Sequence, residues 1–251
     1  MKPLCSISLS LAVVTLLALS MPVQAAKMDD RIESSAQKSH VFKTYLKDDD
    51  IKIDSKNGTV TLTGTVSEET HKSLAKETVA GLPGVKSVDN KLEVKGERPA
   101  EESDAWITTK VKTILLFHKN VSAVTEVNTT DGIVTLQGEA SSQAEKDLTT
   151  EYAKDVQGVK DVKNEMTLSK TAKKTSRTTG DKIDDASITA QVKTALLFHR
   201  STSAFNTSVT TKNGVVTLTG KARNAAEKDL AGKIVDDVKG VKGVKNQMTI
   251  E

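Results

Sequence analysis

Hydrophobic residues in the middle of the chain follow first a helical spacing and then a strand spacing. Ile107, Val111 and Leu115 recur at every fourth position, which is typical of an amphipathic helix. Further along, Val134 and Leu136 occupy alternate positions, as in a strand with one buried face. The pattern therefore predicts a helix that is followed by a half-buried strand.

Turn and capping signals complete this unit. Asp104 precedes the first helix as a candidate N-cap, and Asp131-Gly132 is a tight turn between two antiparallel strands. The capping box Ser142–Glu145 begins a second helix. Apolar residues alternate again from Val162 to Leu168, which predicts a third strand. A right-handed crossover makes this strand parallel to the second one, so the unit is αββαβ.

Two strings within this unit occur three times, which indicates a repeated module. Asx-Gly-x-Val-Thr-Leu-x-Gly covers the hairpin turn and the second strand, and Gly-Val-Lys-x-Val-x-Asn covers the turn before the third strand and its beginning. The glycines are expected to be turn residues, and no side chain is expected to fit where a glycine ends the second strand. The predicted structural turn residues are Gly58, Gly64, Gly84, Asn90, Gly132, Gly138, Gly158, Asn164, Gly214, Gly220, Gly240 and Asn246.

The N-terminus has the pattern of a secretory signal. Lys2 precedes an apolar run from Ile7 to Leu19, and Val23-Gln24-Ala25 ends in small residues, so cleavage is expected after Ala25. The alternative is an uncleaved anchor, but the run is shorter than the ~20 residues that span a bilayer. The single cysteine, Cys5, would be removed with the signal. We therefore expect an exported protein without thiol chemistry.

These signals predict an α+β fold after an N-terminal signal peptide. It comprises three tandem small αββαβ modules, each a three-stranded mixed sheet packed on two helices. We expect each module to fold by itself and the linkers to be exposed. The predicted boundaries are 1–25 for the signal peptide, 28–95 for module 1, 96–103 for a linker, 104–168 for module 2, 169–180 for a second linker and 181–251 for module 3.

The repeated motifs resemble those of the BON domain family. The resemblance covers nearly all of the mature chain and rests on the first helix of modules 2 and 3, the Gly-x-Val-Thr-Leu-x-Gly hairpin and the Gly-Val-x-x-Val-x-Asn turn. It implies a periplasmic protein of envelope or osmotic stress, whose modules bind phospholipid surfaces or envelope proteins. Module 1 departs from the family pattern, because its first helix lacks the usual aliphatic run.

Composition argues against nucleic acid as a partner. Lys and Arg number 36 against 33 Asp and Glu, which gives a net charge of +3, and only 3% of residues are aromatic. A polyanion-binding protein needs a stronger positive field, and single-stranded nucleic acid needs aromatic platforms. The composition instead suits small aliphatic cores.

Side chains with catalytic or metal-binding potential are few and scattered. His118 and His199 each follow Leu-Leu-Phe at the end of a first helix, where a polar ring complements the helix dipole. Cysteines, paired carboxylates and further histidines are missing from metal-ligand spacing in the sequence. Asn90 and its two copies either bind a ligand or satisfy backbone groups near the turn. We therefore expect no catalytic residue, no metal and no cofactor.

Candidate lipid-binding residues lie in module 2 and in the second linker. Trp106 is replaced by Arg31 and Ser187 in the other modules, and it shares a stripe with Lys110 that is expected to lie off the core face. Indole and ammonium groups together are typical of membrane interfaces. The linker adds a basic cluster that would attract an anionic lipid surface. The candidates are Trp106, Lys110, Lys170, Lys173, Lys174 and Arg177.

The sequence thus predicts a monomeric, non-enzymatic periplasmic stress protein that binds phospholipid membrane surfaces through tandem BON modules. The alternative is a chaperone-like or protein-binding adaptor for envelope proteins. Salt-sensitive binding to anionic vesicles would distinguish the first function from the second.

Overall fold

The computed structural model describes residues 21–96, 100, 103–121, 126–169, 182–202 and 206–251. Most of the predicted signal peptide and the four basic residues of the second linker lie outside the described residues. The first helix runs from Met21 to Lys38, across the expected cleavage point after Ala25. Cleavage therefore stays a prediction.

Each module contains the predicted order of elements, with a short additional helix in module 1 and short additional strands in modules 2 and 3. Module 1 contains α1 Met21–Lys38, α2 His40–Thr44, β1 Asp50–Lys56, β2 Thr59–Val66, α3 Glu69–Ala80 and β3 Ser87–Val94. Module 2 contains α4 Asp104–Phe117, β4 Glu126–Thr130, β5 Ile133–Gln137, β6 Glu139–Ala140, α5 Gln143–Lys154, β7 Asp161–Asn164 and β8 Thr167–Leu168. Module 3 contains α6 Asp185–Phe198, β9 Thr207–Lys212, β10 Val215–Ala222, α7 Ala225–Asp236, β11 Gly243–Asn246 and β12 Thr249–Ile250.

The sheet topology confirms the predicted α+β fold. In every module the second strand lies in the middle, antiparallel to the first strand and parallel to the third. The helices cover one face of each sheet, and the aliphatic residues between helices and sheet are buried. The predicted N-cap is also confirmed, because the Ser142 hydroxyl accepts a hydrogen bond from the Glu145 N–H at 3.1 Å. The Glu145 carboxylate accepts its backbone hydrogen bond from the Ser141 N–H at 2.7 Å, one residue before the N-cap of the predicted capping box.

The role predicted for Asp104 is wrong, because Ser103 caps α4 instead. The Ser103 hydroxyl accepts a hydrogen bond from the Trp106 N–H. The Asp104 carboxylate points to the hairpin, where it accepts hydrogen bonds from the N–H groups of Asp131 and Gly132, each at 2.8 Å. Asp29 in module 1 and Asp185 in module 3 bind their own hairpin turns in the same way. This aspartate therefore fixes the first helix to the hairpin in every module.

The predicted turn glycines all have a positive φ, whereas the three predicted asparagines lie in the third strands. Gly58, at the hairpin turn, has a φ of 81°, which favours glycine. Gly64 and Gly220 lie within the second strand rather than at its end. A Cβ at Gly64 would collide with the Asp50 carbonyl oxygen, and one at Gly220 with that of Asn206. The expectation that a side chain does not fit is therefore confirmed at these two glycines, although they do not end the strand.

The three repeated asparagines bridge a helix to a strand. The Asn164 amide donates a hydrogen bond to the Lys146 carbonyl oxygen of α5 and accepts one from the Met166 N–H. Asn90 and Asn246 make the equivalent pairs of bonds. Of the two interpretations, the structure favours the one in which these amides satisfy backbone groups.

The modules pack against one another rather than lying apart. The cores of modules 2 and 3 form one continuous hydrophobic cluster, which includes Ile114 and Ala195 from their first helices. Module 1 has its own core, but Phe117 of module 2 and Ala190 of module 3 also belong to that cluster. The expectation of separate modules on exposed linkers therefore overlooks extensive contact between them.

Candidate functional site

Helix α6 of module 3 is covered by module 1 along one face. We call this the α6 face: Asp184, Ala186, Ser187, Ala190 and Gln191. The alanines, Ser187 and Gln191 are buried. The N–H of His40 donates a hydrogen bond to the Asp184 carboxylate at 2.7 Å, and the N–H of Val41 donates one to the Ser187 hydroxyl at 3.0 Å. The short helix α2 therefore docks on the first turn of α6.

Further contacts join module 1 to this region. The Tyr45 hydroxyl lies 3.5 Å from the Gln191 side-chain oxygen, and its ring packs edge-on against Phe117 with centroids 5.4 Å apart. Burial raises the pKa of Tyr45 to about 12. Beside this contact, Lys193 and Glu77 form an ion pair at 2.7 Å.

Helix α4 of module 2 presents the equivalent face, and among the described residues module 1 does not cover it as it covers the α6 face. We call this the α4 face: Ser103, Ala105, Trp106, Thr109 and Lys110. Ala105 is exposed, and Trp106 and Thr109 are partly exposed, whereas their α6 counterparts are buried. Leu197 of α6 and its counterpart Leu116 of α4 differ in the opposite sense. Leu116 packs against the core of module 1, and Leu197 is 41% exposed.

Lys110 lies under the indole rather than on an open stripe. Its Nζ is 5.0 Å from the centre of the Trp106 ring and 5.7 Å from the centre of the Phe198 ring, and the residue is only 6% exposed. Thr113, on the same stripe, is 8% exposed. The expectation that this stripe lies off the core is therefore wrong for Lys110, because Phe198 of module 3 packs over it, and Thr113 is buried as well. Trp106 remains partly exposed, and Lys112, six residues further along α4, is exposed.

The predicted basic cluster of Lys170, Lys173, Lys174 and Arg177 lies outside the described residues. A link between this cluster and the α4 face therefore stays a prediction.

A second group of polar side chains is buried between modules 2 and 3. The His118 ring is fully buried and stacks on Tyr152, with the centroids 3.7 Å apart. His118 Nδ1 lies 3.3 Å from Asp237 of module 3, and His199 Nδ1 of module 3 lies 2.7 Å from Asp155 of module 2. The two contacts are reciprocal, so each histidine reaches across to the other module.

Backbone hydrogen bonds reinforce this reciprocal interface. The Lys119 N–H donates to the Asp237 carbonyl oxygen at 2.9 Å, and the Arg200 N–H donates to that of Asp155 at 2.8 Å. The return bonds run from the Lys239 N–H to Phe117 and from the Gln157 N–H to Phe198. The two histidines therefore do more than end their helices, as the sequence predicts, because they also hold the two modules together.

A sequence signal for this interface exists. The aspartates that meet the histidines stand three residues before the repeated glycine in modules 2 and 3. In module 1 the same position is Gly81, and the position of the histidine is Lys43. The His–Asp pair is thus present in the two modules that pair reciprocally and missing from the module that docks differently.

The described ranges contain no group of three or more His, Cys, Asp or Glu side chains in an arrangement suited to a metal ion. Within the same ranges, every helix is too short or too polar to cross a bilayer.

Comparison with known proteins identifies the fold family. The BON domain model matches residues 28–96, 103–170 and 184–251. Osmotically-inducible protein Y of Escherichia coli (strain K12) is 34% identical over 143 residues, which are 55% of this chain and 71% of that protein. A 21 kDa hemolysin of Actinobacillus pleuropneumoniae is 30% identical over 151 residues, 56% of this chain and 77% of that protein.

Among solved structures, CdsD, a structural protein of the type III secretion system of Chlamydia trachomatis, aligns with 90% of this chain and 92% of its own at 17% identity. The TM-score of 0.24 is too low to support a conclusion about arrangement or function. The family match covers most of the chain and agrees with the three repeated units seen in the structure. This chain therefore belongs to the BON domain family and carries three BON domains in tandem.

Proposed function

We propose that this protein is a non-enzymatic, periplasmic stress protein that binds anionic phospholipid surfaces through the α4 face. The pattern of the N-terminus and the similarity to osmotically-inducible protein Y support export and a role in stress. The observation that carries the proposal is the contrast between the faces. The α6 face is buried under module 1, and the α4 face carries the single tryptophan of the chain with one side open.

The chemistry of the α4 face suits the interfacial region of a bilayer. An indole inserts among lipid headgroups with its apolar ring buried and its N–H hydrated. Lys110 packs against the inner side of this indole, and the exposed Lys112 is free to reach lipid phosphates. Each cation near an anionic surface contributes about 1 kcal/mol. The basic linker residues Lys170, Lys173, Lys174 and Arg177 would add to this attraction.

Co-sedimentation with vesicles tests the proposal. We expect the whole chain to bind vesicles of phosphatidylglycerol and phosphatidylethanolamine, and the binding to weaken as salt is raised. Trp106→Ala should weaken binding about tenfold, and Trp106→Phe should weaken it less, because phenylalanine keeps an aromatic ring. Lys163→Gln, an exposed position of β7 outside the α4 face, is the control for a substitution elsewhere on module 2 and should weaken binding less than Trp106→Ala.

Two further results bear on the mechanism. Neutralising the four linker cations together should flatten the dependence of binding on salt. Absence of binding at low salt, or equal binding by the wild type and Trp106→Ala, would contradict the proposal. In that case a chaperone-like adaptor for envelope proteins, the alternative function, would be favoured.

A further inference from the structure

The buried ring cluster between modules 2 and 3 is not required by the proposed membrane function. His118 is 0% exposed and His199 is 2% exposed, and their ring centroids lie 5.9 Å apart. Tyr152 contacts both rings, and its hydroxyl donates a hydrogen bond to the Asp237 carboxylate. Two ionisable rings therefore share one dry contact.

The hydrogen bonds leave at least one ring nitrogen of each histidine unpaired among the described residues. Neither nitrogen of His118 has a hydrogen-bond partner among the residues that the structure describes, and the same is true of His199 Nε2. His118 Nδ1 is close to the Asp237 carboxylate, but the oxygen that it approaches already accepts the Tyr152 hydroxyl. A neutral ring tolerates this arrangement, because one nitrogen can stay without a proton. A protonated ring would place an N–H at Nε2 with no acceptor.

The charged groups around His118 do not remove this penalty. Tyr152 and Asp155 come from α5 and its C-cap, His199 and Arg200 follow α6, and Asp237 and Lys239 follow α7; Lys119 is adjacent in sequence. Asp155 accepts hydrogen bonds from His199 and Ser201, and Asp237 from Tyr152 and Asn120. Both carboxylates therefore already have other partners.

The direction of the pKa of His118 agrees with this geometry. Burial lowers it below the usual 6.5, and the nearby His199 acts in the same direction, against a smaller opposite effect of Asp237. A module that has separated exposes the ring and binds the proton more tightly than the docked one. The contribution of the neutral His118 ring to docking is therefore fully present above about pH 6.5. It is lost as the pH falls through the lower pKa of the docked state.

We propose that His118 makes the docking of modules 2 and 3 sensitive to acid, so that protonation of its ring opens the reciprocal interface. One bound proton raises the opening constant by at most about tenfold for each pH unit below 6.5. Opening separates Phe198 of module 3 from Lys110 of the α4 face. The effect of acid therefore extends to the α4 face.

Amide hydrogen exchange of the whole chain measures this opening directly. The N–H groups of Lys119 and Lys239 bond across the interface, so their protection factors report the opening constant. After correction for the intrinsic pH dependence of exchange, both factors should fall by up to about tenfold per pH unit between pH 6.5 and 5.5. The Lys86 N–H, bonded to Gly58 within module 1, is the internal control and should not change.

Two variants test whether the pH dependence comes from the ring cluster at His118 or from a histidine of module 1. His118→Phe keeps a ring against Tyr152 and should abolish the pH dependence at Lys119 and Lys239. His71→Gln, in module 1, should leave that dependence intact. Equal dependence in His118→Phe and the wild type, or constant protection in the wild type, would overturn the proposal.

A measurement on the wild type covers the case in which His118→Phe does not fold. The ring of His118 can be titrated by NMR in parallel with amide exchange. Protection should begin to fall near pH 6.5, and the ring of the docked protein should take up its proton only at a lower pH. A docked ring that is protonated at or above pH 6.5, or protonation of His118 without any loss of protection, would overturn the proposal.

Discussion

The first helices of modules 2 and 3 are close copies in sequence, yet one is enclosed and the other keeps an open face. On α6, Ser187 and Gln191 bond to module 1, and Ala186 and Ala190 let it approach closely. On α4, Trp106 stands where Ser187 stands on α6. The comparison teaches that a few side chains decide whether the same helix becomes a docking site or a free surface.

The largest effect is expected from a charge on the covered face. Ala190→Arg would bury an unpaired cation against the core of module 1, and it should lower the free energy of unfolding by about 3–5 kcal/mol. Thr109→Arg, at the equivalent position of the α4 face, should change it by less than about 0.5 kcal/mol. Urea denaturation of both variants measures the difference, and equal costs would remove the distinction between the two faces.

The second-largest effect is expected at alkaline pH, which should weaken the contact between module 1 and the α6 face. The pKa of Tyr45 is raised to about 12, so the stabilisation is present below pH 10 and is lost as the pH rises through 12. The full effect is about 3 kcal/mol. Absorbance at alkaline pH follows the ionisation of Tyr45 in a Tyr152→Phe variant, which has no other tyrosine. Ionisation of Tyr45 near pH 10 would show that its ring is not buried between module 1 and the α6 face.

Exchanging Ser187 and Trp106, the residues that distinguish the two faces, should have a smaller effect on the free energy of unfolding. Ser187→Trp removes the hydrogen bond from Val41 and overfills a closed contact, which should cost about 2 kcal/mol. Trp106→Ser, the reverse exchange on the α4 face, should cost less than about 1 kcal/mol. Urea denaturation measures both values. A larger cost for Trp106→Ser would indicate that the indole mainly supports the core.

The smallest effect is expected from the ion pair at the edge of the covered face. Lys193 and Glu77 are both partly exposed, so Glu77→Gln should cost less than about 1 kcal/mol, and the cost should diminish at high salt. Lys112→Gln, at the position equivalent to Lys193, should have no measurable effect on stability. A salt series of thermal denaturation checks both variants, and a cost that does not depend on salt would contradict the electrostatic explanation.

Much of each module could be predicted from the sequence, because short-range patterns determine it. The Asx-Gly turns, the capping boxes and the alternation of Val134 and Leu136 depend on neighbours within one unit. The role predicted for Asp104 is wrong for a related reason. An aspartate before a helix suits an N-cap, and the sequence did not reveal that the hairpin N–H groups lie within its reach.

Contacts between modules could not be predicted in the same way. Helical spacing shows which side of α4 faces its own sheet, but it does not show that Lys110 is covered by another module. The Tyr45 contact with α6 joins residues that are far apart in the chain. One sequence signal does mark the pairing of modules 2 and 3. Both modules have the histidine and the aspartate of the reciprocal interface, and module 1 has neither at the matching positions.

Quenching of Trp106 by brominated lipids tests the central claim most directly, because the chain has a single tryptophan. Bromine on the acyl chains quenches an indole that enters the bilayer. With anionic brominated vesicles at low salt, we predict strong quenching of Trp106 fluorescence, and with zwitterionic brominated vesicles much less. Fluorescence that stays unchanged while the protein sediments with the anionic vesicles would contradict the claim that the α4 face is the membrane-binding surface.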